Sequence, residues 1–252
     1  MDTKKRLDYF DMAKGIGVLL VVMGHLQGDS IFALSPYILP FCTWIFSFHM
    51  PLFFIISGML IHHKKDTEKE FAVLAKKRFR GIMIPYYCFS ICYLSVVFYA
   101  LFIGRSIAPQ TLYVNLWYVL SLYGMSVLWF LPALFLGELL FLFIMKKCQP
   151  KSAVILMLVL TVAASLVNLL LQQFSYDTAV LERLHEFALV LLRPVLAMTF
   201  IAVGYFAYAL FKERDKFCIK ELLLGIGLVL TDILLTKVNG GVDFRSLVQK
   251  NL

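Results

Sequence analysis

Charged side chains are scarce in this chain of 252 residues: Asp, Glu, Lys and Arg make up 16%, whereas hydrophobic residues make up 61%. That shortage excludes an ordinary soluble domain and a disordered one, since both need more polar residues than this. Several apolar runs reach the roughly 20 residues needed to cross a bilayer, and each must be helical because no water there can satisfy the backbone. We therefore expect an all-α, polytopic transmembrane helix bundle.

Cysteine patterns typical of a metal site or a disulfide framework are absent. The five cysteines lie in or beside apolar runs, with no CxxC pair and no Cys/His spacing typical of zinc. We therefore expect no metal site and no disulfide. The chain also lacks an internal repeat and a nucleic-acid signature, because its net charge of +8 lies at the ends of apolar runs, where basic residues set membrane topology.

The apolar runs predict seven membrane spans within a single domain, residues 1–252. The first is not a cleaved signal peptide, because it contains Lys14 and lacks a small-x-small cleavage site. The predicted spans are 12–30, 37–61, 81–104, 127–145, 152–171, 187–211 and 218–236.

Basic residues are distributed unevenly between the spans. Lys and Arg are concentrated between His62 and Arg80, after the second span, whereas Asp29 is the only charged residue near the first connection. The positive-inside rule therefore places the N-terminus in the cytoplasm. On the external side, residues 111–124 are too short and too aromatic for a crossing, so we expect an interfacial or re-entrant element there, where an acceptor meets the protein.

Two ionisable residues stand out in the first apolar run. Lys14 and His25 are eleven residues apart, so they share one helix face, about 16 Å apart along its axis. Lys14 either extends its ammonium to the interface or pairs with Asp11, three residues earlier. His25 either bonds a nearby carbonyl or, as a neutral imidazole, acts as a general base toward a hydroxyl.

The second span adds a histidine beside a proline. Because this span runs antiparallel to the first, we expect His49 in the same half of the membrane as His25, so that both converge on one cavity. Pro51 is expected to kink the helix, and the pair Ser57-Gly58 allows close helix approach. We count His49 and Ser57 among the candidate substrate-binding or donor-binding residues, although packing alone explains such a motif equally well.

A basic run precedes the third span. Lys77, Arg78 and Arg80 either set topology or bind phosphates, such as those of a coenzyme A donor, beside a helix N-terminus. Glu138 lies inside the fourth span and Arg193 near the start of the sixth. We count Glu138 among the candidate substrate-binding or donor-binding residues. Structural pairing accounts for it and for Arg193 equally well, because neither charge can face lipid uncompensated.

These stretches together resemble the acyltransferase-3 family of membrane O-acyltransferases. The family's signature is a basic residue, ten residues and then a histidine in the first helix, and Lys14 and His25 fit it in the lysine variant of sugar O-acetylase-like members. Further family motifs follow in order along nearly the whole chain: Phe48-His49-Met50-Pro51 with Ser57-Gly58, Ile84-Pro85-Tyr86, Trp129-Phe130-Leu131-Pro132 and Val203-Gly204-Tyr205.

The resemblance implies a bacterial inner-membrane protein that transfers an acyl group, acetyl above all, from cytoplasmic acyl-CoA to a hydroxyl of a sugar or envelope glycan precursor. No permanently bound cofactor is implied. His25 would be the general base or would carry the acyl group covalently. Lys14 would help to hold the donor, and Arg78 and Arg80 would contact the CoA phosphates.

The sequence departs from the family pattern at two points. The family commonly has two arginines three residues apart before the third helix, whereas Gly81 follows Arg78 at that spacing, which leaves Lys77 and Arg80 as substitutes. Family members also have more helices than the seven predicted here, and the polar segment 237–252 resembles the loop before them. We therefore expect a chain that is shortened at its C-terminus.

Two alternatives to a working acyltransferase stay open at this point. One is an inactive fragment that inserts into the membrane. The other is a transporter in which Lys14, His25 and His49 line a polar pathway. The lack of inverted repeats and of paired broken helices argues against a common secondary transporter.

Overall fold

The computed structural model describes residues 8–25, 38–104, 108–211, 241–243 and 248–250, together with positions 227, 230, 231 and 234. Helices dominate, which confirms the all-α class. They are α1 (Asp8–His25), α2 (Ile38–His63), α3 (Phe71–Arg78), α4 (Ile84–Phe102), α5 (Gln110–Leu120), α6 (Phe130–Lys147), α7 (Pro150–Leu171) and α8 (Ala179–Phe211). Two short strands, β1 (Gly241–Asp243) and β2 (Val248–Lys250), pair antiparallel with Gly241 opposite Lys250.

Five described helical segments are long and apolar enough to cross a bilayer, and they match the second to sixth predicted spans. They are Trp44–His63, Phe71–Phe102, Ser126–Lys147, Pro150–Leu171 and Ala179–Tyr208. The helix α1, which corresponds to the first predicted span and carries Asp8, Asp11 and Lys14, is not among them. Most of the seventh predicted span, 218–236, lies outside the described residues, so the count of seven stays a prediction.

Helix starts differ from the predicted ones where basic residues precede an apolar run. The third span begins at Phe71 and passes through α3 and a π-helical turn, Phe79–Met83, into α4 without a break. Lys and Arg are good helix formers, so the helix continues through a run that is too polar to be counted as apolar. The aromatic segment forms the 11-residue helix α5, whose length of about 16 Å is too short to cross a bilayer.

The chain divides into two compact units, and the first combines residues up to His63 with residues from Ala202 onward. Within it, α1 packs on α2. Gly17 lies against the ring of Phe53, where an added methyl group would come within 2.8 Å of the ring carbon Cζ. Gly204 approaches the backbone carbonyl of Ile55 so closely that a methyl group would collide with it. Small residues thus permit tight helix packing here, as is usual in membranes.

The second unit comprises residues Lys64–Ile201. Its packed interior includes Met83, Tyr86, Val119 and Met125, which join α4 to α5 and the loop that follows. The hydroxyl of Tyr86 donates to the carbonyl oxygen of Val119 at 3.0 Å. In this unit Gly137 on α6 lies against α8, with space for no methyl group between the two helices. The short helix α5 is therefore anchored to the spans by buried side chains rather than by its own length.

Candidate functional site

The first helix carries the predicted basic residue and histidine on one continuous helix, so their shared face is confirmed at the level of the backbone. The Lys14 Nζ atom lies 3.9 Å from Asp11 Oδ1, and 42% of each side chain is exposed. The expected pairing thus occurs, in a loose and solvated form. His25 is the last residue of α1, and its side chain lies outside what the structure describes.

The buried histidine of α2 has a defined protonation pattern. His49 is 3% exposed, and its Nδ1 atom lies 2.7 Å from the carbonyl oxygen of Ile45. Since a carbonyl only accepts, Nδ1 carries the proton, and in the neutral ring Nε2 is the basic nitrogen. This bond to the preceding turn is the packing role that the sequence allowed. Ser57 is also buried in the same helix. Convergence of His49 with His25 stays a prediction.

Arg78 is enclosed by carboxylates. Its Nη2 atom donates to Asp66 Oδ2 at 2.8 Å, and its Nε atom lies 3.1 Å from Glu138 Oε2. Lys69 adds a second cation, 2.5 Å from Asp66 Oδ1. Asp66 and Glu138 are 1% and 2% exposed. We call these four residues the Arg78 cluster; it confirms that Glu138 is paired and shows that Arg78 already has two anionic partners.

Lys77 and Arg80 take no part in the ion pairs of that cluster. Both side chains are exposed, and among the described residues neither makes an ion pair. Residues two positions apart point to opposite sides of a helix, so Arg80 is turned away when Arg78 faces inward. A π-helical turn, of the kind often found at functional sites, begins at Phe79. The structure therefore separates three basic residues that the sequence treated alike.

A second charged cluster joins α5 to the start of α8. Arg183 Nη1 donates to both carboxylate oxygens of Glu186, at 2.9 and 2.7 Å, and Trp117 Nε1 donates to Glu186 Oε2 at 3.1 Å. The Arg183 guanidinium also lies 5.6 Å from the ring centre of Tyr118. Burial raises the pKa of Tyr118 above its ordinary value. We call these four residues the Glu186 cluster.

Arg193 fastens the loop that follows α5. Its Nη1 atom donates to the backbone oxygen of Tyr123 at 2.9 Å, and its guanidinium lies 4.3 Å from the centre of that tyrosine ring. Two residues of this loop, Leu122 and Ser126, have φ angles of 62° and 45°, which residues other than glycine rarely adopt. The arginine thus holds a strained loop, and the expectation that it is paired is confirmed.

An open cleft of about 400 Å³ borders the Glu186 cluster. Apolar surface forms almost all of its lining; the lining residues are Trp117, Ala179, Val180, Arg183, Leu184 and Phe187. Ligand pockets commonly combine such walls with a few placed polar groups. In the described part of the chain, no group of three or more His, Cys, Asp or Glu side chains could hold a metal ion.

Sequence reasoning missed both buried acids that organise these clusters, Asp66 and Glu186. Asp66 stands in a basic loop, and its spacing of three residues from Lys69 was a usable signal. Arg183 and Glu186 have the same spacing on a helix, which predicts a local pair. The sequence also passed over a cluster of rings in the first unit, where His63 Nδ1 lies 3.0 Å from the Tyr208 hydroxyl.

Comparison with known proteins assigns the chain to a family. The sequence model of a family described as an acyltransferase domain, acyltransferase 3, matches residues 7–236. The chain is 51% identical over 57 residues to the nodulation protein NolL of Mesorhizobium japonicum and 47% identical over 57 residues to NolL of Sinorhizobium fredii. Each alignment covers 20% of this chain and only 14% of the relative. No solved structure matches the chain.

Proposed function

Because this chain belongs to the acyltransferase-3 family and contains several helices long and apolar enough to cross a membrane, we propose that it is a membrane acyltransferase that transfers an acyl group, acetyl above all, from acyl-CoA to a hydroxyl of a sugar or cell-envelope glycan precursor. The observation that carries the proposal is the family match over residues 7–236. The continuous helix that bears Lys14 and His25 at the family spacing supports it.

The transfer needs a base for the acceptor hydroxyl. The His25 imidazole takes the hydroxyl proton as the oxygen attacks the thioester carbonyl, a C–O bond forms, the C–S bond breaks, and the proton passes to the departing CoA sulfur. General-base assistance of this kind is typically worth about 10²–10⁴-fold in rate. In the two-step variant, His25 first accepts the acyl group and then passes it to the hydroxyl. Lys14 helps to hold the donor in either case.

The donor carries several phosphates, and exposed cations suit them. Lys77 and Arg80 lie on the side that the charge asymmetry assigns to the cytoplasm, where acyl-CoA is found. Neither cation makes an ion pair among the described residues, so both retain a full charge for a phosphate. This placement supports a cytoplasmic donor for an enzyme of the bacterial inner membrane.

The cleft beside the Glu186 cluster supports a sugar acceptor through its aromatic wall. A sugar offers apolar faces that rest on aromatic rings. Trp117 and Phe187 supply such rings in a cleft whose lining is almost entirely apolar. The cleft lies at the short aromatic helix that the sequence predicts to be external. We infer that the acceptor binds there and that its identity depends on this lining.

Labelled acyl-CoA tests the proposal. Membranes that contain the protein receive acetyl-CoA labelled in the acetyl group, and covalent label is then sought on glycans. We expect label with the wild type, none with His25→Ala or His25→Gln, and normal membrane insertion of both variants. His185→Gln is the matched control because it removes an imidazole that stacks on Tyr176 and does not line the cleft. Label with both His25 variants would disprove the catalytic role, and passage of an unmodified substrate across the membrane would favour transport.

A further inference from the structure

The Arg78 cluster has no net charge to offer a ligand. It contains two carboxylates, Asp66 and Glu138, and two cations, Arg78 and Lys69, all within ion-pair distance of a partner. A phosphate that approached Arg78 would meet two buried anions beside it. Because like charges repel strongly where water is excluded, the side chain of Arg78 is poorly placed to bind the donor.

The same cluster joins segments that are distant in sequence. Asp66 begins a 3₁₀ turn, Asp66–Glu68, whereas Arg78 ends α3 and Glu138 lies in the middle of α6. The Lys146 ammonium, further along α6, donates to the backbone oxygens of Thr67 at 3.0 Å and of Lys69. The helix α6 therefore holds the loop in two ways: Lys146 bonds backbone oxygens of the loop, and Glu138 pairs with Arg78, which in turn pairs with Asp66.

The loop begins in a conformation that needs such support. Lys65 has a φ of 50°, in the left-handed region that costs energy for any residue with a side chain. Strain of this kind persists only where surrounding contacts impose it. The adjacent Asp66 supplies those contacts through Arg78 and Lys69. The cluster thus sets the direction in which the chain enters α3, and with it the orientation of the basic residues at the far end of α3.

We propose that Asp66 and Glu138 are positioning residues that act through Arg78, so that Arg80 and Lys77 face the phosphates of the acyl-CoA donor. The proposal rests on the proposed function and divides the basic run into two roles. Arg78 orders the loop and the start of the third span. Arg80, with Lys77, makes the phosphate contacts.

Donor kinetics test the phosphate contact. Arg80→Gln is expected to raise the KM for acetyl-CoA about tenfold, with little change in kcat, because it removes one charge-assisted hydrogen bond. With S-acetylpantetheine, which has no phosphate, the same variant should match the wild type. Lys147→Gln removes an exposed cation at the last residue of α6 and serves as the control. Unchanged donor KM in Arg80→Gln, together with a large increase in Arg78→Gln, would overturn the assignment.

A double-mutant cycle tests positioning. Asp66→Asn should also raise the KM for acetyl-CoA, and the double variant with Arg80→Gln should be no worse than the more affected single variant, because Asp66 acts through the residue that Arg80→Gln removes. Glu68→Gln makes the matching change at an exposed acid of the same turn and should leave the KM unchanged. Independent, multiplying effects of Asp66→Asn and Arg80→Gln would contradict the proposal.

Limited proteolysis separates this proposal from the proposed function. If the cluster holds the loop, trypsin should cleave between Lys64 and Arg80 several-fold faster in Asp66→Asn than in the wild type or Glu68→Gln. Unchanged cleavage would overturn positioning even in an active enzyme. A wild type that transfers no acyl group from acyl-CoA would overturn the proposed function, while the cleavage rates would still report on the loop. If Asp66→Asn fails to fold, Lys69→Gln removes a partly exposed partner of Asp66 and should give a smaller change in the same direction.

Discussion

The two charged clusters of the second unit bury their acids in different ways. In the Arg78 cluster, one guanidinium lies within ion-pair distance of both Asp66 and Glu138, which lie on separate segments. In the Glu186 cluster, the ion pair lies within one helix turn and an indole supplies the third contact. The first cluster is therefore a joint between chain segments, and the second is a local pair at the edge of an aromatic cleft. The role of a buried ion pair therefore follows from the segments that it connects.

The largest expected effect comes from removing the arginine of each cluster. Arg78→Ala takes a cation away from two buried carboxylates, of which Asp66 keeps Lys69, and should lower the free energy of unfolding by about 3–5 kcal/mol. Arg183→Ala should cost about 1–3 kcal/mol, because the Arg183 side chain is partly exposed and Glu186 keeps the indole of Trp117. Unfolding in mixed detergent micelles measures both. The control is Arg80→Ala, at an exposed site, whose free energy of unfolding should stay within about 0.5 kcal/mol of the wild type. Equal losses of unfolding free energy in Arg78→Ala and Arg183→Ala would contradict the difference between the clusters.

A second prediction concerns the contact between the helices that carry Glu138 and Glu186. On Gly137, an added methyl group would lie 2.8 Å from Ala197 Cβ and 3.1 Å from the carbonyl oxygen of Pro194. Gly137→Ala should therefore lower the free energy of unfolding by about 1–3 kcal/mol through overpacking. Gly81→Ala is the control, because no atom lies within 4 Å of the added methyl. If Gly137→Ala is tolerated as well as Gly81→Ala, the two helices are not held at close range.

A third prediction assigns the two clusters to different substrates. Trp117→Phe keeps an aromatic ring and removes the indole N–H that bonds Glu186. It should raise the KM for a sugar acceptor about threefold, because the lost hydrogen bond holds the wall of the cleft rather than the sugar, and it should leave the KM for acetyl-CoA unchanged. Initial rates with a panel of aryl hexosides measure the KM for the acceptor. Trp129→Phe, at a buried ring outside the cleft lining, is the control; a rise in donor KM in Trp117→Phe would contradict the assignment.

The smallest expected effect is a dependence on pH. Burial raises the pKa of Tyr118 in the folded protein above its usual value near 10. The unfolded chain therefore loses this proton first, so stability contributed by the neutral phenol is complete below pH 10 and falls as the pH rises above it. Unfolding measured at pH 9 and pH 11 should show a smaller loss in Tyr118→Phe than in the wild type. An equal loss in both proteins would assign the effect to other groups.

Local patterns were sufficient for much of the fold. Apolar length predicted five spans that the structure contains, and the aromatic run 111–124 was recognised as too short to cross. The start of α8 was placed at 187 instead of Ala179, because the first two turns carry Glu182, Arg183 and Glu186. Hydrophobic periodicity detects helices that have an apolar face. It misses a helix turn whose charged side chains pair with one another.

The candidate site was predictable only in part. The spacing of Lys14 and His25 and the pairing of Glu138 followed from rules that hold along one helix or for any charge in a membrane. The partner of Glu138 did not follow, because Arg78 is 60 residues away along the chain and nothing in either segment encodes the other. Asp66 stayed unnoticed since an acid in a basic loop resembles an ordinary surface residue until its burial is known.

The sequence by itself determined that this chain is a helical membrane protein of the acyltransferase-3 family with Lys14 and His25 on one helix face, because apolar length and motif spacing are properties of neighbouring residues. Only the tertiary structure decided which basic residue is neutralised and which stays open. That decision depends on two carboxylates brought together from distant segments. At close range in a water-poor interior, the anions beside a basic side chain determine whether it can still attract a ligand.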